Sequence, residues 1–131
     1  MKKILIIDDD STLRAMLAEY LAQLGFDIAQ AEDGNSGIRL IREQEFDLVV
    51  TDNQMPDGSG FEVLRFIKEN RPAMPRLMLS SMLQEDQLRE LVLLEAQYIE
   101  KPPRLSVIFA VLKLYFPNLE KPTRRTSNPT P

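Results

Sequence analysis

The sequence predicts an α/β domain: a five-stranded parallel sheet with helices on both faces, doubly wound. Three observations carry this reading. Short apolar runs alternate five times with segments whose apolar residues recur at helical spacing, the pattern of a parallel sheet with crossover helices. The first run is apolar on both faces, as in a central parallel strand. Four runs end in a charge or a hydroxyl, at Asp8-Asp9, Asp52, Ser80 and Lys101. In an open parallel sheet those ends face one crevice.

Along the chain, Lys3–Ile7 is the first strand. Ser11–Leu24 follows as a helix through Leu13, Met16, Leu17, Tyr20, Leu21 and Leu24, with Ser11 as its expected cap and Gly25 as its stop. Phe26–Ala31 is the second strand. Asp33-Gly34 turns the chain, and Ser36–Glu43 is helical through Ile38 and Ile41. Phe46–Thr51 is the third strand, ending in Asp52, and the loop NQMPDGSG after it is dense in turn formers. Phe61–Asn70 is a helix with Phe61, Leu64 and Ile67 on one face. Arg76–Leu79 is the fourth strand, ending in Ser80-Ser81. Leu83–Leu94 reads as a helix, Gln97–Glu100 as the fifth strand, and Arg104 to about Phe116 as the last helix. Crossovers are expected to be right-handed. Residues 1–116 thus form one domain, and 117–131 read as a disordered tail or linker, with four prolines and no apolar periodicity.

Bulk properties narrow the function. A chain of 131 residues suffices for one domain with a real core. A net charge of −4 gives no electrostatic footprint for nucleic acid. With no cysteine there is no disulfide and no thiolate metal site, and with no histidine the usual general base and zinc ligand are missing. No segment approaches a membrane span, and the apolar run at the start is too short for a signal peptide, so a cytoplasmic location is expected.

The acids at the strand ends need a partner. Adjacent carboxylates repel one another, and a cation is what offsets that cost. Asp8, Asp9 and Asp52 suit a hard, oxygen-seeking ion such as magnesium, which takes few protein ligands and keeps several waters. Lys101 and Ser80 beside them suit the oxygens of a phosphoryl group. Each residue has a plainer role available. Asp10 can favour the helix N-terminus, Asp52 can start a turn, and Ser80 or Ser81 can cap the next helix. Lys101 can be a surface lysine, and Tyr98 a strand aromatic. Their joint occurrence at strand ends is what favours the functional reading.

With ILIIDD, DLVVTDNQMPDGSGFEVL, LMLSS and YIEKP in order, residues 1 to about 116 resemble the receiver domain of two-component response regulators, the flavodoxin-like, CheY-like (βα)5 fold. The resemblance implies that Asp52 is the phosphoacceptor, taking a phosphoryl group from a histidine kinase or histidine phosphotransfer protein. It implies that Asp9 binds magnesium directly, that Asp8 does so directly or through water, and that Asp52 and the Gln54 backbone carbonyl complete the protein ligands. Lys101 would pair with Asp52 at rest and with the phosphoryl group afterwards. Ser80 would move to a phosphoryl oxygen, and Tyr98 would swing inward behind it. A cis peptide is implied at Lys101-Pro102. Phosphorylation would change the face of the fourth helix, fifth strand and last helix for an output partner or a homodimer.

Departures from the family pattern set further expectations. Gln54 and Met82 border the path of the hydrolytic water, and apolar Met82 cannot orient it, so slow self-dephosphorylation is expected. Leu94-Glu95-Ala96-Gln97-Tyr98 replaces a glycine-containing stretch and reads one residue shorter, so the fourth helix is expected to end differently, because Glu95 in a left-handed cap would be strained. In the last helix Val107, Ile108, Phe109, Val111, Leu112, Leu114, Tyr115 and Phe116 exceed one apolar stripe, which implies either an exposed contact face or cover by the tail. Two other functions compete. A magnesium-dependent phosphatase of the haloacid dehalogenase class usually has an acid where Gln54 stands, and a cap domain for which there is no room. An unphosphorylated pseudo-receiver would not need intact Asp8, Asp9, Asp52, Ser80 and Lys101. A phosphoacceptor switch with at most weak autophosphatase activity, rather than an enzyme, is the reading that fits.

Overall fold

The computed structural model describes residues 1–55 and 58–121. Five strands, β1 (Lys3–Ile7), β2 (Asp27–Ala31), β3 (Leu48–Asp52), β4 (Arg76–Ser80) and β5 (Gln97–Glu100), form one parallel sheet in the order β2-β1-β3-β4-β5. Helices α1 (Ser11–Gln23), α2 (Gly34–Glu43), α3 (Gly60–Asn70), α4 (Glu85–Leu93) and α5 (Leu105–Tyr115) connect and complete the strands. Two-residue strands, Gln54–Met55 and Gly58–Ser59, pair antiparallel within the predicted loop after β3. Pro56 and Asp57 of that loop, and tail residues 122–131, lie outside the described residues.

Period-two alternation explains the layers. Ile4 and Ile6 of β1 pack with Leu17 and Leu21 of α1 and Ile108 and Leu112 of α5. Leu5 and Ile7 point the other way, toward Ile41 of α2 and Val63 and Ile67 of α3. All four β1 residues are at most 1% exposed, and each such side chain contributes about 2 kcal/mol of burial. Phe61, Leu64, Met78, Leu83, Leu91 and Leu94 form a third cluster between α3, β4 and α4. The chain leaves β1 for β2 on one side and returns to β3 on the other. This places the topological switch point between β1 and β3, whose C-terminal ends carry Asp8 and Asp52.

Besides α2, which starts at Gly34 under an Asp33 cap rather than at Ser36, helix ends required three corrections. Asp10, not Ser11, caps α1: its Oδ1 accepts from the N–H groups of Thr12 and Leu13, both at 3.0 Å. At its other end Gly25 has φ +100°, with the Gly25 N–H on the Ala22 carbonyl and the Phe26 N–H on Leu21, a Schellman ending. Helix α4 starts at Glu85 rather than Leu83. Leu83 is instead buried in the third cluster, and neither Ser80 nor Ser81 caps the helix. Gln84 takes the cap position, its N–H donating to the Gln87 side chain at 2.8 Å.

The end of α4 is the third correction. It closes in the same Schellman arrangement as α1, with Glu95 at φ +57°. The Glu95 N–H donates to Val92 at 3.0 Å and the Ala96 N–H to Leu91 at 3.0 Å. A β-carbon is strained in this conformation, whereas glycine is not. Glu95→Gly is therefore expected to raise the melting temperature by about 3 °C, despite losing an exposed ion pair with Lys68. A lower melting temperature would show that the ion pair outweighs the backbone strain.

The last helix buries Ile108 and Leu112 fully and packs Val111, Tyr115 and Phe116 partly against the same cluster. Val107 and Leu114 stay exposed, while Lys121 lies over the Phe109 ring. Beyond the helix, Leu119 packs on the core and Lys113 Nζ holds the carbonyls of Pro117 and Leu119.

Candidate functional site

Asp8, Asp52, Ser80 and Lys101 reach the sheet's C-terminal edge by simple strand geometry, whereas Gln54 lies in the small hairpin and Tyr98 early in β5. Asp8 follows β1 directly and is 1% exposed. Its N–H donates to the Ala31 carbonyl at 3.1 Å, extending the β1–β2 pairing by one residue. Its Oδ1 accepts from the Asp10 N–H at 2.9 Å, which folds the acidic stretch into a turn. Asp9, at the apex of that turn, is exposed. Asp52 ends β3 and is buried. One carboxylate oxygen from each of Asp8, Asp9 and Asp52 can be chosen so that all lie within 4.8 Å of one another, close enough to share a cation and all hard oxygen donors.

Lys101 closes the cluster from β5. Its N–H donates to the Ser80 carbonyl at 2.8 Å, which holds it beside β4, and the peptide to Pro102 is cis. Its Nζ sits 3.0 Å from Asp52 Oδ1 and 3.4 Å from Asp8 Oδ2. Ser80, the last residue of β4, is buried one register step beyond Leu79, the residue paired with Asp52. The Tyr98 hydroxyl donates to the Ser81 carbonyl at 3.1 Å, so this ring is tied to the segment leading into α4. Gln54 is exposed in the small hairpin, opposite Ser59, and Met82 is exposed at the other rim.

The structure adds residues that sequence reasoning missed. The Asn53 N–H donates to Asp52 Oδ1 at 2.8 Å, so this N–H and the lysine hold the same carboxylate oxygen. Gly60 donates its N–H to the Asn53 carbonyl at 2.6 Å, pinning the start of α3 beneath the site. Arg14 reaches back from α1 to the Asp8 carbonyl at 2.5 Å. Asn53 and Gly60 read as loop formers in sequence. Arg14 carried a signal, since a helical residue four positions beyond the Asp10 cap can fold back over the turn.

The electrostatics follow from burial. Burial first, and then the charge of Asp52, push the Asp8 carboxyl above its ordinary value, against the Asp10 N–H and Lys101. For Lys101 burial works against the charge, but the hydrogen bond and charge of Asp52, joined by Asp8, outweigh it and raise the pKa. An acid whose pKa is raised by folding loses stability as pH climbs from the unfolded value, 3.8, through the folded one. Without metal, Asp8→Asn is therefore expected to be more stable than the wild type near pH 7 and as stable as it near pH 3. Urea melts at the two pH values test this. Equal stability of variant and wild type near pH 7 would contradict it.

Fold and site define a flavodoxin-like α/β domain with an acidic pocket at its strand ends. The chain belongs to the response regulator receiver domain family of two-component signalling, whose model matches residues 4–113. It is 37% identical over 91 residues to the chemotaxis protein CheY of Pseudomonas aeruginosa, covering 67% of this chain and 73% of that one. It is 35% identical over 109 residues to the autoinducer 1 sensor kinase/phosphatase LuxN of Vibrio harveyi. That match covers 83% of this chain but only 13% of LuxN. The structure of the response regulator TrrA from Thermotoga maritima, in complex with Mg(2+)-BeF, superposes with a TM-score of 0.78 at 28% identity, covering 88% of this chain and 99% of that one. Receiver domains generally bind magnesium and act with histidine kinases and output partners. Among the described residues no helix is long and apolar enough to cross a membrane.

Proposed function

We propose that this domain is a phosphoacceptor switch and that Asp52 is its acceptor. The observation that carries the reading is Lys101 Nζ at 3.0 Å from Asp52 Oδ1, within a cluster of three carboxylates. Lys101 and the Asn53 N–H occupy Oδ1, and Oδ2 is the oxygen we assign to attack. It forms the O–P bond as the P–N bond of a partner's phosphohistidine breaks, and the nitrogen keeps the electron pair. Such transfer needs alignment and neutralised charge more than a strong nucleophile. Magnesium, held by Asp8, Asp9, Asp52 and the Gln54 carbonyl, supplies charge neutralisation when bound. Lys101 then pairs with a phosphoryl oxygen, and Ser80 turns to donate to another. Tyr98, already tied to Ser81, follows that movement.

The domain on this reading is a substrate and binding module rather than an enzyme, with at most slow self-dephosphorylation past exposed Met82. Its setting is the cytoplasm. Its output surface is the α4-β5-α5 face, where Leu88, Val92, Leu105 and Val107 are exposed, toward a partner or a second copy. The tail or linker on this reading is residues 122–131, since Leu119 packs on the core and Lys113 holds the Pro117 and Leu119 carbonyls. Incubation with magnesium and acetyl phosphate, followed by intact mass, tests the central step. One added phosphoryl group on wild type and none on Asp52→Asn is expected. No adduct on either protein, with magnesium binding shown separately, would favour an unphosphorylated interaction module.

A further inference from the structure

Strand β4 joins the site to an unusual buried cation. Ser80 stands at its C-terminal end, and Arg76, 3% exposed, at its start. Three backbone carbonyls meet the guanidinium: Nε donates to Met74 at 3.0 Å, one terminal nitrogen to Leu94 at 2.9 Å and the other to Pro72 at 2.5 Å. Leu94 is the C-terminal cap of α4, the negative end of that helix's dipole. Pro72 and Met74 lie on the connection from α3. The Arg76 carbonyl in turn accepts from the Tyr115 hydroxyl of α5 at 3.3 Å. One side chain thus ties the end of α4 to β4 and to the α3–β4 connection.

Two further attachments fall on the same end. Arg65 of α3 grips Glu90 with two hydrogen bonds, at 2.7 and 3.0 Å, and Lys68 pairs with Glu95 at 2.8 Å. The other end of α4 is held differently. Ser81, Met82 and Gln84 are exposed, and the Gln84–Gln87 bond is internal to the segment. Buried Leu83 and the Tyr98–Ser81 hydrogen bond attach that end to the domain. The Tyr98 bond is one that movement of Ser80 would disturb.

We propose that Arg76 is a positioning residue that fixes the C-terminal end of α4, residues 90–96, in both states of the switch, so that phosphorylation displaces only residues 80–88. The proposal rests on phosphoacceptance by Asp52 and specifies how that event is transmitted. Exposed Val92 and Leu93 then belong to the constant part of the face, while Met82 and Leu88 belong to the part that changes.

Hydrogen exchange read by mass spectrometry tests this on the full chain, for wild type, Arg76→Met and Arg76→Lys, with and without magnesium and acetyl phosphate. Intact mass of each sample reports phosphorylation. In wild type, phosphorylation is expected to change exchange over 80–88 several-fold and over 90–96 less than twofold. In unphosphorylated Arg76→Met, exchange of the Leu94, Glu95 and Ala96 amides is expected to rise at least tenfold, and to become dependent on phosphorylation. Arg76→Lys, which keeps the charge but not the three-way fork, is expected to lie between and serves if Arg76→Met does not fold. Equal changes over both segments in wild type, or unaltered exchange at 94–96 in the variants, would overturn the proposal. Absence of any phosphoryl adduct would overturn the acceptor reading alone. The unphosphorylated comparison would still decide whether Arg76 holds the helix end.

Discussion

Replacing Gly60 with alanine is expected to cost the domain about 3 kcal/mol or more and to suppress phosphoryl uptake at Asp52. A β-carbon at position 60 would stand 2.1 Å from the Asp52 carbonyl oxygen, 2.8 Å from the Met78 terminal carbon and 3.0 Å from the Asn53 α-carbon. Met78 can shift its methyl. The two backbone atoms cannot yield without moving the end of β3, and the Gly60–Asn53 hydrogen bond at 2.6 Å holds them close. The cause is close approach of two backbones. Relief must either lift α3 from the sheet, opening contacts of Phe61, Val63 and Leu64, or rotate Asp52 away from Lys101 and the Asn53 N–H. Urea unfolding measures the first and the rate of adduct formation the second. A loss below about 1 kcal/mol with uptake unchanged would mean that the strand end is softer than these distances require.

How much of this was legible in sequence depends on whether the deciding interaction is local. Strands β1 and β5 have the bounds that their sequences indicate: burial on both faces dictates Ile4–Ile7 of β1 directly, while β5, at the sheet edge with only Ile99 buried, is delimited by its neighbouring turns. Caps were less legible. Asp10 and Ser11 are adjacent and chemically equivalent candidates, and only the Asp10 bonds to Thr12 and Leu13 choose between them. Leu83 continues the spacing of α4, yet its side chain is claimed by the cluster with Phe61 and Leu64 before the helix begins. Glu95 shows the reverse error. Strain argued against a left-handed ending, but the two hydrogen bonds to Val92 and Leu91 carry that conformation in spite of the side chain.

The clustering of the candidate site's residues was legible because they sit at strand ends, and a parallel sheet brings such ends together whatever the loops do. Asp8, Asp9, Asp52 and Lys101 meet as that rule requires. What supports them was not legible. Asn53 acts through its backbone N–H, which every residue but proline has, and Gly60 through the absence of a side chain. Arg76 was least visible. An arginine at the start of a strand reads as solvated, and its three carbonyl partners lie 2, 4 and 18 residues away in sequence.

Lys101→Met separates the lysine's resting contacts with Asp8 and Asp52 from the role in transfer that we propose for it. In metal-free buffer the variant leaves the Asp8 and Asp52 carboxylates facing each other without the ammonium group 3.4 and 3.0 Å away, and is expected to lose about 2 kcal/mol. The raised lysine pKa sets the alkaline limit of that difference. Stabilisation is fully present below the unfolded value, 10.5, and is lost as pH rises through the folded one. Magnesium affinity should move the other way. A divalent ion entering the variant meets the same carboxylates without a competing cation, so a five- to tenfold rise is expected, on the order of 1 kcal/mol. Saturating magnesium should therefore narrow the stability gap. Transfer is expected to slow about 100-fold even with the ion bound, because a fixed donor for the phosphoryl oxygens is gone. Calorimetric titration and the rate of mass increase read the two effects independently. Weaker magnesium binding would show that Lys101 organises the carboxylates more than it competes for them, and undiminished transfer at saturating magnesium would remove it from the phosphoryl site.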